Sequence, residues 1–170
     1  HTDLGIFVDP LADSKIRQGV TSEVVGVDGS SVLPVSDAMR AARRERYRER
    51  YGVEVDFGTW DELHAALRDN GHLAHFVTMV GSGTVREAVM GEADRPPTGE
   101  ELARMVAAVE AARAAGAAGI SSGLEYTPNA FATPEELAAL ARPFAGSGLP
   151  YASHLRNEAD RVEEALAEGV

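Results

Sequence analysis

This sequence predicts an α/β fold on parallel strands, from two observations. Short β-branched apolar runs alternate with longer Ala-, Glu- and Arg-rich stretches, the order of βα units. The runs are also apolar enough throughout to be buried on both faces, as strands of a parallel sheet are.

The first strand is expected over residues 21–27. Residues 36–51 follow as a helix crowded with Arg40, Arg43, Arg44, Arg46, Arg48 and Arg50, interleaved with only two glutamates, Glu45 and Glu49. Such a charge run reads as a solvated surface helix, with an acidic partner or phosphate ligand as the functional alternative. Thr59 and Glu62 open the next helix with a Ser/Thr-x-x-Glu box, in which side chains satisfy backbone N–H groups that have no helical partner. That helix carries His64, expected to be exposed, and Trp60 as a packing residue. Residues 73–80 make the second strand, with His72 and His75 at its start and therefore structural. Gly81-Ser82-Gly83-Thr84-Val85-Arg86 begins like a dinucleotide loop, but Arg86 stands where the third glycine belongs. After a Pro- and charge-rich loop over residues 91–97, Thr98 and Glu101 cap a helix reaching Ala115, with Leu102, Met105, Val106, Val109 and Ala112 on one side and Gly116 to end it. Residues 118–121 form the third strand. Thr133 and Glu136, with Pro134 at the first helical position, start another helix. Residues 150–154 form the last strand. No repeat or low-complexity segment divides residues 1–170, which read as a single segment.

Composition narrows the function. A net charge of −11 excludes a nucleic-acid surface, which needs a basic face. No apolar run approaches the roughly 20 residues of a membrane span, and the chain opens without the basic start and apolar segment of a signal peptide, so a soluble cytoplasmic protein is expected. With no cysteine, any metal here must use His, Asp or Glu, and disulfides are excluded.

In parallel α/β proteins the chemistry lies beyond the carboxyl ends of the strands. The polar residues there are Asp28, Ser82, Ser121, Ser122 and His154. A lone strand-end histidine fits a hydrogen-bonded structural role as well as a metal, but Arg156 and Glu158 add charges that a metal site would use around its ligands. His1 and Asp3, two apart on an extended segment, point to the same side and could approach one metal. Asp28-Gly29-Ser30-Ser31 is not a nucleophile elbow and has no nearby histidine, so serine catalysis is disfavoured.

Several segments together resemble the N-acyl-D-amino-acid deacylases of the metal-dependent amidohydrolase superfamily. They are His1-Thr2-Asp3 with Gly19-Val20-Thr21, Val24-Val25-Gly26-Val27-Asp28-Gly29, Val80 to Arg86, Val89-Met90-Gly91, Gly119-Ile120-Ser121-Ser122-Gly123-Leu124-Glu125-Tyr126-Thr127-Pro128, and Tyr151-Ala152-Ser153-His154-Leu155-Arg156-Asn157-Glu158. The resemblance implies a partial (β/α)8 TIM-type barrel, roughly the first five βα units with outer helices. It implies one or two zinc ions activating water to cleave an N-acyl-D-amino acid into a carboxylate and a free D-amino acid. On this resemblance His1 is the second histidine of a His-x-His pair, His154 is the ligand on the fifth barrel strand, and Tyr126 meets the substrate carboxylate. Ser122 is a further substrate contact, and Asp3, Arg156 and Glu158 orient the ligands.

Two departures stand out. Asp28 occupies the place of a metal-binding cysteine, exchanging thiolate for carboxylate. Ser82 replaces a histidine that relatives often carry. The remaining ligands and the general base are expected outside residues 1–170, leaving this chain inactive alone. A cyclic-amide hydrolase of the same superfamily is an alternative, disfavoured because many such enzymes bridge their metals with a carboxylated lysine and the only lysine here is Lys15, in an expected helix. A non-catalytic barrel-type binding module is the alternative of a different class. Acyl and side-chain specificity and oligomeric state are left open.

Overall fold

The structure is a computed structural model that describes residues 3–169. His1 lies outside the described residues. Two one-turn helices, α1 (Gly5–Val8) and α2 (Asp13–Ile16), precede strand β1 (Ser22–Val25). Helices α3 (Asp37–Tyr51) and α4 (Trp60–Asn70) lead to β2 (His75–Thr78) and β3 (Val80–Gly81), which Met79 alone separates. Then come α5 (Ser82–Met90), α6 (Gly99–Ala114), β4 (Ile120–Gly123), α7 (Pro134–Ala141), β5 (Tyr151–His154) and α8 (Val162–Glu168).

Every strand pairing is parallel: β1 with β2, then β3–β4–β5. This mixed architecture of parallel strands with intervening helices is the one the alternating pattern predicts. β1 and β5 are shorter than their apolar runs, the run over residues 73–80 is divided into β2 and β3, and β4 is displaced two residues toward the carboxyl end of its run. β4 is buried at all four positions, Ile120, Ser121, Ser122 and Gly123, although two carry hydroxyls. In the register, Ser121 lies beside Gly81 and Gly123 beside His154, so the polar strand ends meet in one layer.

Two apolar clusters flank the strands. Val80, Val85, Met105, Val109, Ala112, Ile120, Leu140 and Phe144 pack α5, α6 and α7 onto β3 and β4. Leu4, Phe7, Leu33, Val55, Phe57, Leu63 and Leu67 form the other beneath α3 and α4. No helix among the described residues is long and apolar enough to cross a membrane.

The packing sharpens the reading of three segments. The Arg-rich helix is solvated along most of its length, where Arg40 pairs with Asp56 and Arg44 with Glu54. Arg43, however, is buried, donating to the carbonyl oxygens of Val32 and Phe57 and lying over the Phe57 ring. Burial lowers its pKa to about 10. Arg86 does not take part in a phosphate loop: it is fully buried in an ion pair with Glu136 and donates to the carbonyls of Ala93 and Arg95. For that reason the box at Thr133 is only half formed. Thr133 Oγ1 accepts from Glu136 N–H at 3.3 Å, but the Glu136 carboxylate has turned inward to Arg86, whereas the boxes at Thr59 and Thr98 are complete.

Candidate metal and substrate site

His154 is the last residue of β5, and its Nε2 faces acid on several sides. Glu125 Oε2 lies 3.0 Å away and Glu158 Oε1 3.7 Å. The Tyr126 hydroxyl is 3.4 Å from the same nitrogen, and the two rings are 4.8 Å apart. The hydrogen bond to Glu125, then the charges of Glu158 and Asp28, raise the His154 pKa above its ordinary value against a smaller opposing effect of desolvation.

Asp28 reaches this neighbourhood from the turn after β1. Its φ of 55° is left-handed, a conformation Asp tolerates better than most residues. The turn is held from several directions. Asp3 Oδ1 accepts from Gly26 N–H at 2.7 Å, the Gly29 carbonyl accepts from Thr84 N–H at 3.0 Å, and the carbonyl of Asp28 abuts Gly123. Burial raises the Asp3 pKa, the Gly26 hydrogen bond opposes that, and the nearby Asp28 charge adds to it. Asp3 therefore supports the backbone that presents Asp28.

Below this layer the strand ends share a buried polar network. Ser121 Oγ donates to the Gly26 carbonyl at 2.6 Å and accepts from Gly29 N–H at 3.1 Å. Asn129 Oδ1 accepts from Ser82 Oγ at 2.9 Å and from Gly123 N–H at 2.8 Å. A cleft of about 310 Å³ opens above, lined among others by Asp28, Gly123, Tyr126 and Asn129.

Of the residues expected at the site, Asp28, Tyr126, Glu158 and His154 converge on this mouth. Tyr126 is half exposed there. Ser122, expected to meet substrate, is fully buried, its hydroxyl bonded to Tyr151 Oη at 2.7 Å and Ser153 Oγ at 2.8 Å. Arg156 binds the Glu168 carboxylate and the carbonyls of Ala130 and Ala132, tying α8 to the loop before α7 rather than meeting His154. Ser82 has a definite place as a partner of Asn129. The sequence placed Ser121 at a strand end without a role, and it did not single out Glu125 or Asn129. The signal for Ser121 was its place in a buried strand end beside Ser122; nothing local marked Asn129.

Among the described residues no three His, Asp or Glu side chains gather closely enough to hold a metal. The chemistry of the groups present nonetheless fits a divalent cation. The His154 imidazole has the carboxylates of Glu125 and Glu158 at 3.0 and 3.7 Å and feels the charge of Asp28, and imidazole nitrogen with carboxylate oxygen is a donor pair that zinc accepts.

No family profile matches the chain. It is 39% identical over 154 residues to the D-aminoacylase of Alcaligenes xylosoxydans xylosoxydans, covering 91% of this chain and 31% of that protein. A solved D-aminoacylase, described as defining a novel subset of amidohydrolases, superposes with a TM-score of 0.85 at 34% identity, over 99% of this chain and 35% of the other. The N-acyl-D-glutamate deacylase of Bordetella bronchiseptica, solved with zinc and a phosphonate mimic of the tetrahedral intermediate, superposes equally well at 35% identity. The chain thus spans about a third of the length of the relatives it matches.

Proposed function

We propose that this chain, which spans about a third of the length of the relatives it matches, belongs to the N-acyl-D-amino-acid deacylase family and forms the first five or so βα units of a (β/α)8 barrel that hydrolyses N-acyl-D-amino acids. The observation that carries this reading is His154 at the end of β5, within the electrostatic reach of Asp28 from the turn after β1. In a barrel built on parallel strands, these are the positions from which ligands and reacting groups project.

His154 and Asp28 would hold zinc with His1, which precedes Asp3 in the chain. Bound there, the metal would supply a lowered water pKa and a polarised amide carbonyl. Glu125 and Glu158 keep the mouth anionic and orient the imidazole. Tyr126, exposed beside His154, would donate its hydroxyl to the substrate carboxylate. Asp28 in place of a thiolate makes the donor set harder, favouring oxygen-preferring metals more than cysteine would. Lys15 is paired with Glu23 at 2.5 Å, near the start of β1 rather than at the mouth, which weighs against a metal-bridging lysine and the cyclic-amide reading.

Metal analysis and turnover test the proposal. The full-length protein is expected to contain zinc and to release acetate from an N-acetyl-D-amino acid faster than from its L isomer, while residues 1–170 alone give no turnover. Absence of both stoichiometric metal and hydrolysis in the full-length protein would instead favour a binding module on the same scaffold.

A further inference from the structure

We propose that Ser121 is a positioning residue whose hydroxyl sets the place of the Asp28 carboxylate, an inference that rests on Asp28 being a metal ligand. The turn that presents Asp28 has two ends, Gly26 and Gly29, and one oxygen atom touches both. Ser121 Oγ gives its single proton to the Gly26 carbonyl and accepts the Gly29 N–H. Of the other restraints, Asp3 and Met79 act at Gly26 and Thr84 at Gly29, while Ser30 N–H closes the turn on the Val27 carbonyl and the Asp28 carbonyl abuts Gly123, so none of them joins Gly26 to Gly29. Asp28 itself sits between them in a left-handed conformation, so its backbone is held by what fixes its neighbours.

The hydroxyl also has no other work to do. Ser121 is fully buried, so it cannot meet substrate, and its neighbour Ser122 bonds to Tyr151 and Ser153, away from the turn. Removing the Ser121 oxygen leaves a buried carbonyl and a buried N–H without their partner, and backbone groups in that state rearrange to find another. The predicted consequence is a displaced Asp28 rather than an unfolded protein, because the apolar packing of β4 through Ile120 is untouched.

The test is zinc affinity of the full-length protein, measured by competition with a chromophoric chelator. Ser121→Ala is expected to weaken zinc binding about 10–100-fold, the range found for groups that orient metal ligands. Asp28→Asn should weaken it at least as much, and the double variant should be no worse than Asp28→Asn alone, because both changes act through one carboxylate. Val109→Ala, which loosens the core of α6 without touching the turn, should lower Tm and leave zinc affinity unchanged. If Ser121→Ala does not fold, Ser121→Cys, whose thiol is a weak donor, carries the same expectation on a smaller scale. Undiminished affinity in a folded Ser121 variant while Asp28→Asn weakens binding overturns the positioning role alone. So does an equal loss for Ser121→Ala in the Asp28→Asn background. Unchanged affinity in Asp28→Asn overturns the ligand reading and the positioning role with it.

Discussion

The backbone oxygen of Asp28 fills the space that a side chain on Gly123 would need: a Cβ built on Gly123 would overlap it. Gly123 ends β4 next to His154 in the parallel register, so this one contact couples the β1 turn to the β4–β5 mouth. Gly123→Ala must push the turn away or distort β4. We expect a loss of about 1–3 kcal/mol in denaturant unfolding, the usual cost of overpacking, together with weaker zinc binding. Wild-type metal affinity in a destabilised Gly123→Ala protein would show that the contact matters only for packing.

Asp28→Cys tests the donor at that turn directly. A thiolate prefers softer ions, so the variant should shift relative affinity from manganese toward zinc and cadmium. Competition between cadmium and manganese in the full-length protein reads this out, and an unchanged ratio would remove Asp28 from the ligand set.

The buried pair of Arg86 and Glu136 makes an asymmetric prediction. Burial raises the Glu136 pKa and the guanidinium of Arg86 opposes that rise. Removing one partner, as in Glu136→Gln or Arg86→Met, strands a buried charge or its hydrogen-bonding groups, at about 3–5 kcal/mol. The double change to Met and Leu should recover most of that loss. Urea midpoints of the three variants check it: equal destabilisation by single and double variants would contradict the argument.

The start of α6 carries a pH dependence of known sign. Hydrogen bonds from Arg95 and then from Thr98 N–H hold the Glu101 carboxyl down at about 2. A depressed folded pKa contributes stability that is complete above the unfolded value near 4.5 and disappears as the pH falls toward 2. Wild type should therefore melt above Glu101→Gln at pH 6, with the gap closing between about pH 4.5 and 2. A gap that persists at pH 2 would assign the effect to something other than this carboxylate.

Periodicity and capping chemistry made the order of strands and helices legible, because the apolar runs and the Thr-x-x-Glu boxes are local signals; packing overrode one half of one box, at Thr133, and left the helix start in place. The strand-end placement of Asp28 and His154 was also legible, since strand ends announce themselves as the first polar residues after an apolar run. What the sequence could not supply was direction. Ser121 and Ser122 are adjacent hydroxyls in one strand, and only the pleat decides that one faces the Gly26–Gly29 turn and the other faces Tyr151 and Ser153. Arg43 is likewise one arginine among six, singled out only when Val32 and Phe57 close over it. Arg156 looked like a neighbour of His154 by spacing, but a carboxylate from α8 and two loop carbonyls claimed it.

Met79, the single residue between β2 and β3, sets the reading frame of the sheet. Its N–H bonds to the Val25 carbonyl, closing the pairing with β1, and the next residue, Val80, already bonds to Gly119 on the other side. Strand side chains alternate between faces, so deleting Met79 would shift Val80 and Gly81 by one step, exchange their faces, and rotate the start of α5 with them. Val80 would leave the apolar cluster and Ser82 would turn from Asn129. A library of single-residue deletions should accordingly tolerate losses in the exposed Pro-rich loop before α6 far better than a loss at this joint, where one missing residue exchanges inside for outside.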